Sequence, residues 1–371
     1  MNKILSVVWY KVLPSRYGGQ KGIVLFTKYL ASLHKVVFLC SKNNEPDASM
    51  PFEVKAELPV IKSQFANPFC WKKIIGVARK IQPSFIIVEH PYHGIAGVRS
   101  ARTTGAKLIV HAHNIESQRF REMGKWWWRF LAKYEAWTFK KAHLVLFKTE
   151  VDLHWAVEHY RMDLTKGFIV PYGIEKNSAP DRIKARTMIG ERYGLAEHEK
   201  ILLFAGSLDY DPNARAVELI FKEIAPRLWQ QKKYSFRILI CGRNHLKRFQ
   251  HLKGLNHPGV LYAGEVNDIE TYFGGADLFL TPVYTGGGIQ TKIVEAIRYN
   301  LNVVCLKEQV DENLISLAHE KLFLSSRNDH DVMVKNIFSA LEKNCNTPQV
   351  FFDYYDWSNI VSRLNEKLNE S

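Results

Sequence analysis

The chain has 371 residues, 46% of them hydrophobic. That is enough to bury a large core, it excludes a disordered chain, and at about 100–200 residues per domain it points to two domains. The formal net charge of +14 is uneven, with 26 Lys+Arg against 13 Asp+Glu through Glu175 and 25 against 24 beyond it. The basic first half calls for an anionic partner, whether phospholipid headgroups, a phosphorylated substrate or nucleic acid.

Five scattered cysteines, Cys40, Cys70, Cys241, Cys305 and Cys345, are odd in number and sit mostly in apolar runs. They read as small buried residues in a reducing compartment rather than as a disulfide framework. Met1-Asn2-Lys3 leads into only a short apolar run before Tyr10, Lys11 and a Pro-Ser-Arg turn, so no secretory signal is expected. No charge-free apolar stretch approaches the roughly 18 residues of a membrane span, and a cytoplasmic location is expected.

Short β-rich apolar runs alternate with longer amphipathic segments, the pattern of an α/β protein with parallel sheets. Strands are expected at Ile4 to Trp9, Lys35 to Cys40, Phe85 to Glu89, Lys107 to His111, Leu144 to Phe147 and Phe168 to Val170. Helices are expected at Gln20 to Leu33, Trp71 to Ile81, Glu116 to Lys141 and Glu150 to His159. The pattern then restarts, with strands at Ile201 to Ala205, Phe236 to Cys241, Val260 to Ala263, Leu278 to Thr281 and Asn302 to Leu306. Helices accompany them at Asn213 to Gln230, Asp268 to Gly274, Gln290 to Tyr299 and Asp331 to Leu341. Turn residues in Pro171 to Arg182 mark the linker. The expected domains are 1–175 and 176–350, with a C-terminal helix at about 355–369 packing back on the first. Two Rossmann-like halves would face across a deep cleft, with chemistry in the loops after the strands.

The strongest local signal is Thr281-Pro-Val-Tyr-Thr-Gly-Gly-Gly-Ile-Gln-Thr-Lys-Ile-Val-Glu-Ala-Ile297, which passes from a strand through three glycines into a helix. Glycines let backbone amides approach a phosphate, and the helix N-terminus attracts anions. Lys292 would add a point charge, and Glu295, one turn on along the same face, could accept from ribose hydroxyls. A glycine-rich turn with a solvated lysine fits the spacing equally, although lysine at a helix N-terminus opposes the dipole.

These residues resemble the nucleotide-sugar signature of glycosyltransferase family 4, in the variant with a Gly-x-Gly loop, then Lys, then Glu-Ala. Further landmarks follow in order: Phe204-Ala-Gly-Ser-Leu-Asp-Tyr-Asp-Pro-Asn213, Leu239-Ile-Cys-Gly-Arg243, Gly264-Glu-Val-Asn-Asp268 and Val170-Pro-Tyr-Gly-Ile-Glu175. In the first half, Pro14 to Gly19 and His113-Asn114-Ile115-Glu116 also match. The resemblance runs from Pro14 to about Cys305. It implies a GT-B fold and retaining transfer of a hexose from a nucleotide-diphosphate sugar, without metal or cofactor, to a lipid-linked or polysaccharide acceptor in cell-surface glycan synthesis.

By resemblance, Glu295 binds the ribose, while Lys292 and the loop Gly286, Gly287, Gly288, Ile289 and Gln290 bind the diphosphate. Gly206, Ser207, Arg243 and the backbone at Val266 complete the donor site, Gly18 and Gly19 meet the diphosphate from the other half, and His113 contacts the transferred sugar. Gly287 stands where the commonest pattern has its first glutamate, leaving the amides of Gly288 and Ile289 to replace that carboxylate's contacts. Other readings of single features remain open: Gly18-Gly19 as a tight turn, Arg243 as a surface arginine, and Asn267 or Asp268 as a helix cap. Arg16, His90, Tyr92 and His93, after expected strands of the basic half, are the acceptor-site candidates.

His111 and His113 share a strand face and would suit zinc. With no cysteine or acidic cluster at ligand spacing, no metal is expected. Asp209-Tyr-Asp211 formally matches a metal-binding Asp-x-Asp, but Asp211-Pro212-Asn213 reads as a helix cap followed by proline.

Ser117 to Lys141 carries Trp126-Trp127-Trp128 among Arg119, Arg121, Lys125, Arg129, Lys133, Lys140 and Lys141. Successive helical residues lie about 100° apart, so the three tryptophans cannot share one core. Phe120, Trp127, Leu131 and Tyr134 form a core stripe, leaving Trp126 or Trp128 among cations as an interfacial anchor or a partly exposed domain edge. The anchor reading places the protein at the inner face of the cell membrane, on anionic lipid. A sugar-nucleotide epimerase, an inactive relative and a nucleic-acid-binding module are the competing readings. Nucleic acid is not expected, because the basic residues are dispersed.

Overall fold

The computed structural model describes residues 1–15, 18–61, 67–175, 180–284 and 291–370. The chain divides into two compact units, Met1–Gly173 with Tyr355–Ser371, and Ile174–Tyr354.

In the first unit the strands are β1 (Lys3–Val7), β2 (Lys35–Ser41), β3 (Glu53–Leu58), β4 (Phe85–Glu89), β5 (Lys107–Ala112), β6 (Leu144–Phe147) and β7 (Gly167–Ile169). They pair in the order β3-β2-β1-β4-β5-β6-β7, all parallel. Helices α1 (Gly18–Ala31), α2 (Pro68–Ile81), α3 (Gly94–Thr104), α4 (Glu116–Glu122), α5 (Trp128–Lys141) and α6 (Glu150–Tyr160) connect them. Alternate strand residues supply two apolar layers, one containing Leu5, Leu39, Val88 and Val110 and the other Ile4, Phe38, Ile87 and Ile109. A sheet buried on both faces requires such near-continuous apolar strands.

The second unit opens with α7 (Arg182–Tyr193) and contains β8 (Lys200–Ala205), α8 (Asp211–Leu219), α9 (Ala225–Gln231), β9 (Phe236–Cys241), β10 (Val260–Gly264) and α10 (Ile269–Gly275). It continues with β11 (Leu278–Thr281), α11 (Thr291–Arg298), β12 (Asn302–Leu306), α12 (Glu312–Ala318), β13 (Leu322–Ser325) and α13 (His330–Glu342). Its sheet runs β10-β9-β8-β11-β12-β13, again parallel, which is the Rossmann order. A turn of π-helix at Ile220–Ile224 joins α8 to α9, so the single expected helix is continuous but irregular.

The expected helix from Glu116 to Lys141 is two helices. Gly124 adopts φ 67, its N–H donates to the Arg121 carbonyl at 2.9 Å, and the Lys125 N–H reaches back to the Phe120 carbonyl at 3.0 Å. This is a Schellman ending, for which glycine in the left-handed region is the usual residue. Trp127 packs on Phe120 at 4.5 Å between ring centroids.

After α14 (Gln349–Tyr355), the last helix α15 (Trp357–Asn369) returns to the first unit. Asp356 caps it, accepting from the N–H groups of Ser358 (2.9 Å) and Asn359 (3.3 Å). Its buried stripe Trp357, Ile360, Val361, Leu364 and Leu368 has helical spacing and joins the layer of Ile4 and Phe38. Trp357 is fully buried beside the rings of Phe26, Tyr29 and Tyr172. Trp357→Ala should therefore destabilise the chain by about 3–5 kcal/mol, read as a lower denaturant midpoint. An unchanged midpoint would mean that α15 is not part of the first unit's core.

Candidate functional site

Each sheet reverses its strand order once, at β1/β4 and at β8/β11, and ligands of such sheets bind beyond the strand ends at that point. In the first unit the strand ends bring together Tyr10, Glu89, His90, Tyr92, His111, His113 and Glu116.

His90, immediately after β4, has φ 64 and ψ 160. This region is nearly exclusive to glycine and costs about 1–3 kcal/mol. The ring is held by its neighbours: Nδ1 lies 3.0 Å from Glu116 Oε1, Nε2 lies 3.4 Å from the Tyr10 hydroxyl, and the His113 ring centroid is 4.4 Å away. Tyr92 donates its hydroxyl to Glu116 Oε2 at 2.8 Å, and Arg119 Nη1 approaches the same oxygen at 3.1 Å. Burial works to raise the Glu116 carboxyl, but hydrogen bonds from His90 and Tyr92 and the charges of His90 and Arg119 outweigh it and hold the group below its ordinary value.

Glu116 stands at the start of α4, whose first amides are themselves held by a buried acid. Glu135 Oε1 accepts from the Glu116 N–H at 2.9 Å and Oε2 from the Ser117 N–H at 3.0 Å, while Tyr160 donates its hydroxyl to Oε2 at 2.7 Å. Burial, only partly opposed by these bonds, raises the Glu135 carboxyl from 4.5 to about 7.

Glu89, His111 and His113 form a second cluster. The β4/β5 register pairs Glu89 with His111, and His113, two residues on, brings Nε2 to 2.6 Å from Glu89 Oε2. His111 Nδ1 lies 2.9 Å from the same oxygen but outside hydrogen-bond geometry. The candidate ligand atoms of all three lie within 4.8 Å of one another, so the carboxylate that sequence spacing failed to supply to the histidine pair is provided by Glu89. Two ligand atoms each about 2.0–2.1 Å from a tetrahedral ion lie about 3.3 Å apart. The 2.6 Å separation of His113 Nε2 from Glu89 Oε2 is shorter and suits a direct hydrogen bond. Beside them Lys148 is buried, its Nζ 6.0 Å from the Trp357 ring centroid and without a hydrogen-bond partner among the described residues, and burial, opposed by the charge of Glu89, lowers it to about 8. An ammonium there further disfavours a dication.

In the second unit, Gly206 and Ser207 follow β8, Gly242 and Arg243 follow β9, and Val266 lies in the half-buried turn after β10. A Cβ on Gly242 would stand 1.8 Å from the Gly206 carbonyl oxygen, so this close approach of the two strand ends needs glycine. Asp209 holds Arg243, Oδ2 to Nε at 2.9 Å, and accepts from the N–H groups of His245 and Leu246, each at 2.8 Å. Asp211 is within α8, paired with Arg215 at 2.7 Å, and Tyr210 takes the cap position. The expected cap is thus displaced by one residue, and the two aspartates of the Asp-x-Asp run face different arginines. Asp268 caps α10, accepting from the Glu270 N–H at 3.0 Å.

Lys292 and Glu295 lie on one face of α11, with Nζ and Oε2 in contact at 2.5 Å, and Nζ is 5.6 Å from the Phe273 ring centre. Gly18 and Gly19 form the first turn of α1 rather than a loop. Arg16 and the loop residues Gly286, Gly287, Gly288, Ile289 and Gln290 lie outside the described residues.

Sequence reading missed Glu89, Lys148, Tyr10, Glu135 and the anchoring role of Asp209. A signal existed for Glu89, the one acid closing an otherwise apolar strand beside the strand of His111.

Residues 17–177 match the family model Glycosyltransferase Family 4, and residues 199–343 match Glycosyl transferases group 1. No curated protein matches the sequence. Among solved structures, sucrose-phosphate synthase from Thermosynechococcus elongatus is similar at TM-score 0.76 and 14% identity, over 100% of this chain and 99% of that one. A glycosyltransferase from Rickettsia africae ESF-5 is similar at TM-score 0.74 and 17% identity, over 100% and 98%. Anabaena HepE in complex with UDP and glucose is similar at TM-score 0.72 and 15% identity, over 100% of both chains. Fold and family matches together define a glycosyltransferase of the GT-B type. The two family models fall on separate stretches of the chain, and each takes in less than half of it.

The buried Glu135 gives a pH signature. Its folded value lies above its unfolded one, so its contribution to stability is fully present below about 4.5 and is lost as pH rises through about 7. Melting midpoints of the wild type should fall more steeply between these values than those of Glu135→Gln. Parallel pH profiles would remove Glu135 as the titrating group.

Proposed function

We propose that the chain transfers a hexose from a nucleotide-diphosphate sugar to a lipid-linked or polysaccharide acceptor, with retention and without metal, in cell-surface glycan synthesis. The observation that carries this reading is the strand-order reversal of the second sheet, flanked by the glycines at 206 and 242, Arg243 on its Asp209 anchor, and the Lys292–Glu295 pair at the start of α11. In this reading Lys292, Arg243 and the amides of residues 286–290 hold the diphosphate, Glu295 the ribose, and the backbone at Val266 the base. HepE, of the same fold, is described with UDP and glucose, which favours a uridine nucleotide. The arginines beside Asp209 and Asp211 favour cations and amides over a metal as the stabiliser of the leaving diphosphate. Gly18 and Gly19, at the N-terminus of α1, add amides, His113 meets the transferred sugar, and Arg16, His90 and Tyr92 meet the acceptor.

A panel of UDP- and GDP-sugars, read by thermal shift and by nucleotide release, tests the donor. At least one should stabilise the chain and turn over in EDTA, and Glu295→Gln should weaken its binding about tenfold or more, within the 1.5–3 kcal/mol of a hydrogen bond to a charged group. If no sugar nucleotide stabilises the chain, the donor site is not where it is proposed.

The acceptor reading extends to a membrane surface. Met123, Trp126 and Phe130 are 55%, 80% and 68% exposed, and the Arg121 and Arg129 guanidinium groups lie over the Trp128 ring at 5.1 and 5.5 Å from its centroid. Lys125 and Lys133 lie on the same segment, and aromatics among cations suit an anionic headgroup layer. No helix among the described residues is long and apolar enough to cross a membrane. The protein should co-sediment with phosphatidylglycerol-containing vesicles at low salt, and the double variant Trp126→Ala, Phe130→Ala should lose most of that binding. Equal recovery of the two proteins would remove this surface from the proposal.

A further inference from the structure

His113 and Glu89 are joined by the shortest contact in the first unit's cluster, and the direction of that contact has a chemical consequence. Glu89 is fully buried and Oε2 lies 2.6 Å from His113 Nε2. A carboxylate only accepts, so Nε2 carries the hydrogen, and in a neutral imidazole the other nitrogen then has none. Burial pushes the His113 ring well below its ordinary value, with the charges of His111 and His90 adding to the effect and the bond to Glu89 opposing it. The ring has little freedom to turn over, being packed between His111 at 4.3 Å and His90 at 4.4 Å between centroids. Nδ1 has no hydrogen-bond partner among the described residues.

We propose that Glu89 is a positioning residue for His113, locking the tautomer that leaves Nδ1 bare, so that His113 recognises its ligand by accepting a hydrogen bond from a hydroxyl group. This rests on the transferase reading, in which the hydroxyl belongs to a sugar. A carboxylate or phosphate oxygen placed at Nδ1 would set acceptor against acceptor, whereas a neutral sugar hydroxyl donates. The His90 ring is pinned through the opposite nitrogen, Nδ1 on Glu116. Two adjacent imidazoles are thus each tied to a separate buried carboxylate, and the charge of Lys148 is coupled to that of Glu89.

Histidine-selective ¹⁵N NMR of the full chain at neutral pH reads the tautomer without any substrate. The expected spectrum has His113 protonated at Nε2 and bare at Nδ1. In Glu89→Gln, whose amide can also donate to Nε2, the other tautomer should gain population. For the UDP- or GDP-sugar that the wild type turns over, kcat should fall about tenfold to a hundredfold, with affinity for the free nucleotide diphosphate within about twofold. A wild-type ring protonated at Nδ1 overturns the proposal, as does a Glu89→Gln variant whose tautomer and turnover are both unchanged. Stoichiometric Zn²⁺ binding that shifts His111 and His113 together overturns it in favour of a metal site. A locked tautomer in a chain that turns over no sugar nucleotide supports the role of Glu89 and counts against the transferase reading alone. If Glu89→Gln fails to fold, as judged by its melting profile, the wild-type tautomer decides.

Discussion

A parallel sheet that reverses its strand order leaves one place where the connections depart to opposite faces and the strand ends stand uncovered. Both sheets of this protein have that reversal, and it governs where polar chemistry can begin. Strands buried on two faces must stay apolar along their length, as Phe85-Ile-Ile-Val and Leu278-Phe-Leu do. The first side chains free of that demand are the last ones: Glu89 closes β4, His111 is the penultimate residue of β5, and Gly206 and Gly242 begin where β8 and β9 stop. Parallel register then decides which of these meet, bringing Glu89 opposite His111.

Acids this deeply buried persist only if they are satisfied, because removing a partner from a buried charge costs about 3–5 kcal/mol. For Glu135 and Glu116 the first unit meets that demand in a chain of dependence, whereas Glu89 keeps Oε1 without a hydrogen-bond partner among the described residues. Glu135 takes the first amides of α4; α4 thereby fixes Glu116; Glu116 takes His90, Tyr92 and Arg119. At the end of this chain stands His90 in a backbone conformation that its own side chain disfavours. Its imidazole bond to Glu116 and its ring contact with His113 supply interactions of the size needed to offset that strain. Residues far from the strand ends, such as Glu135 and Tyr160, thus bear on the geometry of the site.

Much of the α/β architecture was legible, because buried parallel strands leave an unambiguous apolar run: β4, β6, β9, β11 and β12 begin and end as expected. What escaped has local causes. Strand β3 reads Glu-Val-Lys-Ala-Glu-Leu, an edge strand whose charges alternate with small or apolar residues, and α3 is rich in glycine, serine and threonine, all poor helix formers. The break between α4 and α5 was signalled by Gly124, but the amphipathic pattern on either side outweighed it. At the sites, near-neighbour geometry such as Lys292 with Glu295 followed from helical spacing. Contacts across the sheet, Glu89 with His113 and Asp209 with Arg243, depend on register and loop path, which spacing along the chain does not encode.

The second unit differs from the first in how it holds its charges. Lys292 and Arg243 are partly exposed and each already lies against an acid of the same unit, Glu295 and Asp209. In each pair the cation is the more exposed partner, so an arriving anion can reach it from solvent. Asp209 also accepts two backbone amides and so keeps its place whether or not Arg243 turns away. Under the proposed reading, Lys292 would leave Glu295 for the diphosphate, and the carboxylate so released would be available to a ribose hydroxyl. The ion pair across one turn of α11 would then hold each group near its position until the nucleotide separates them.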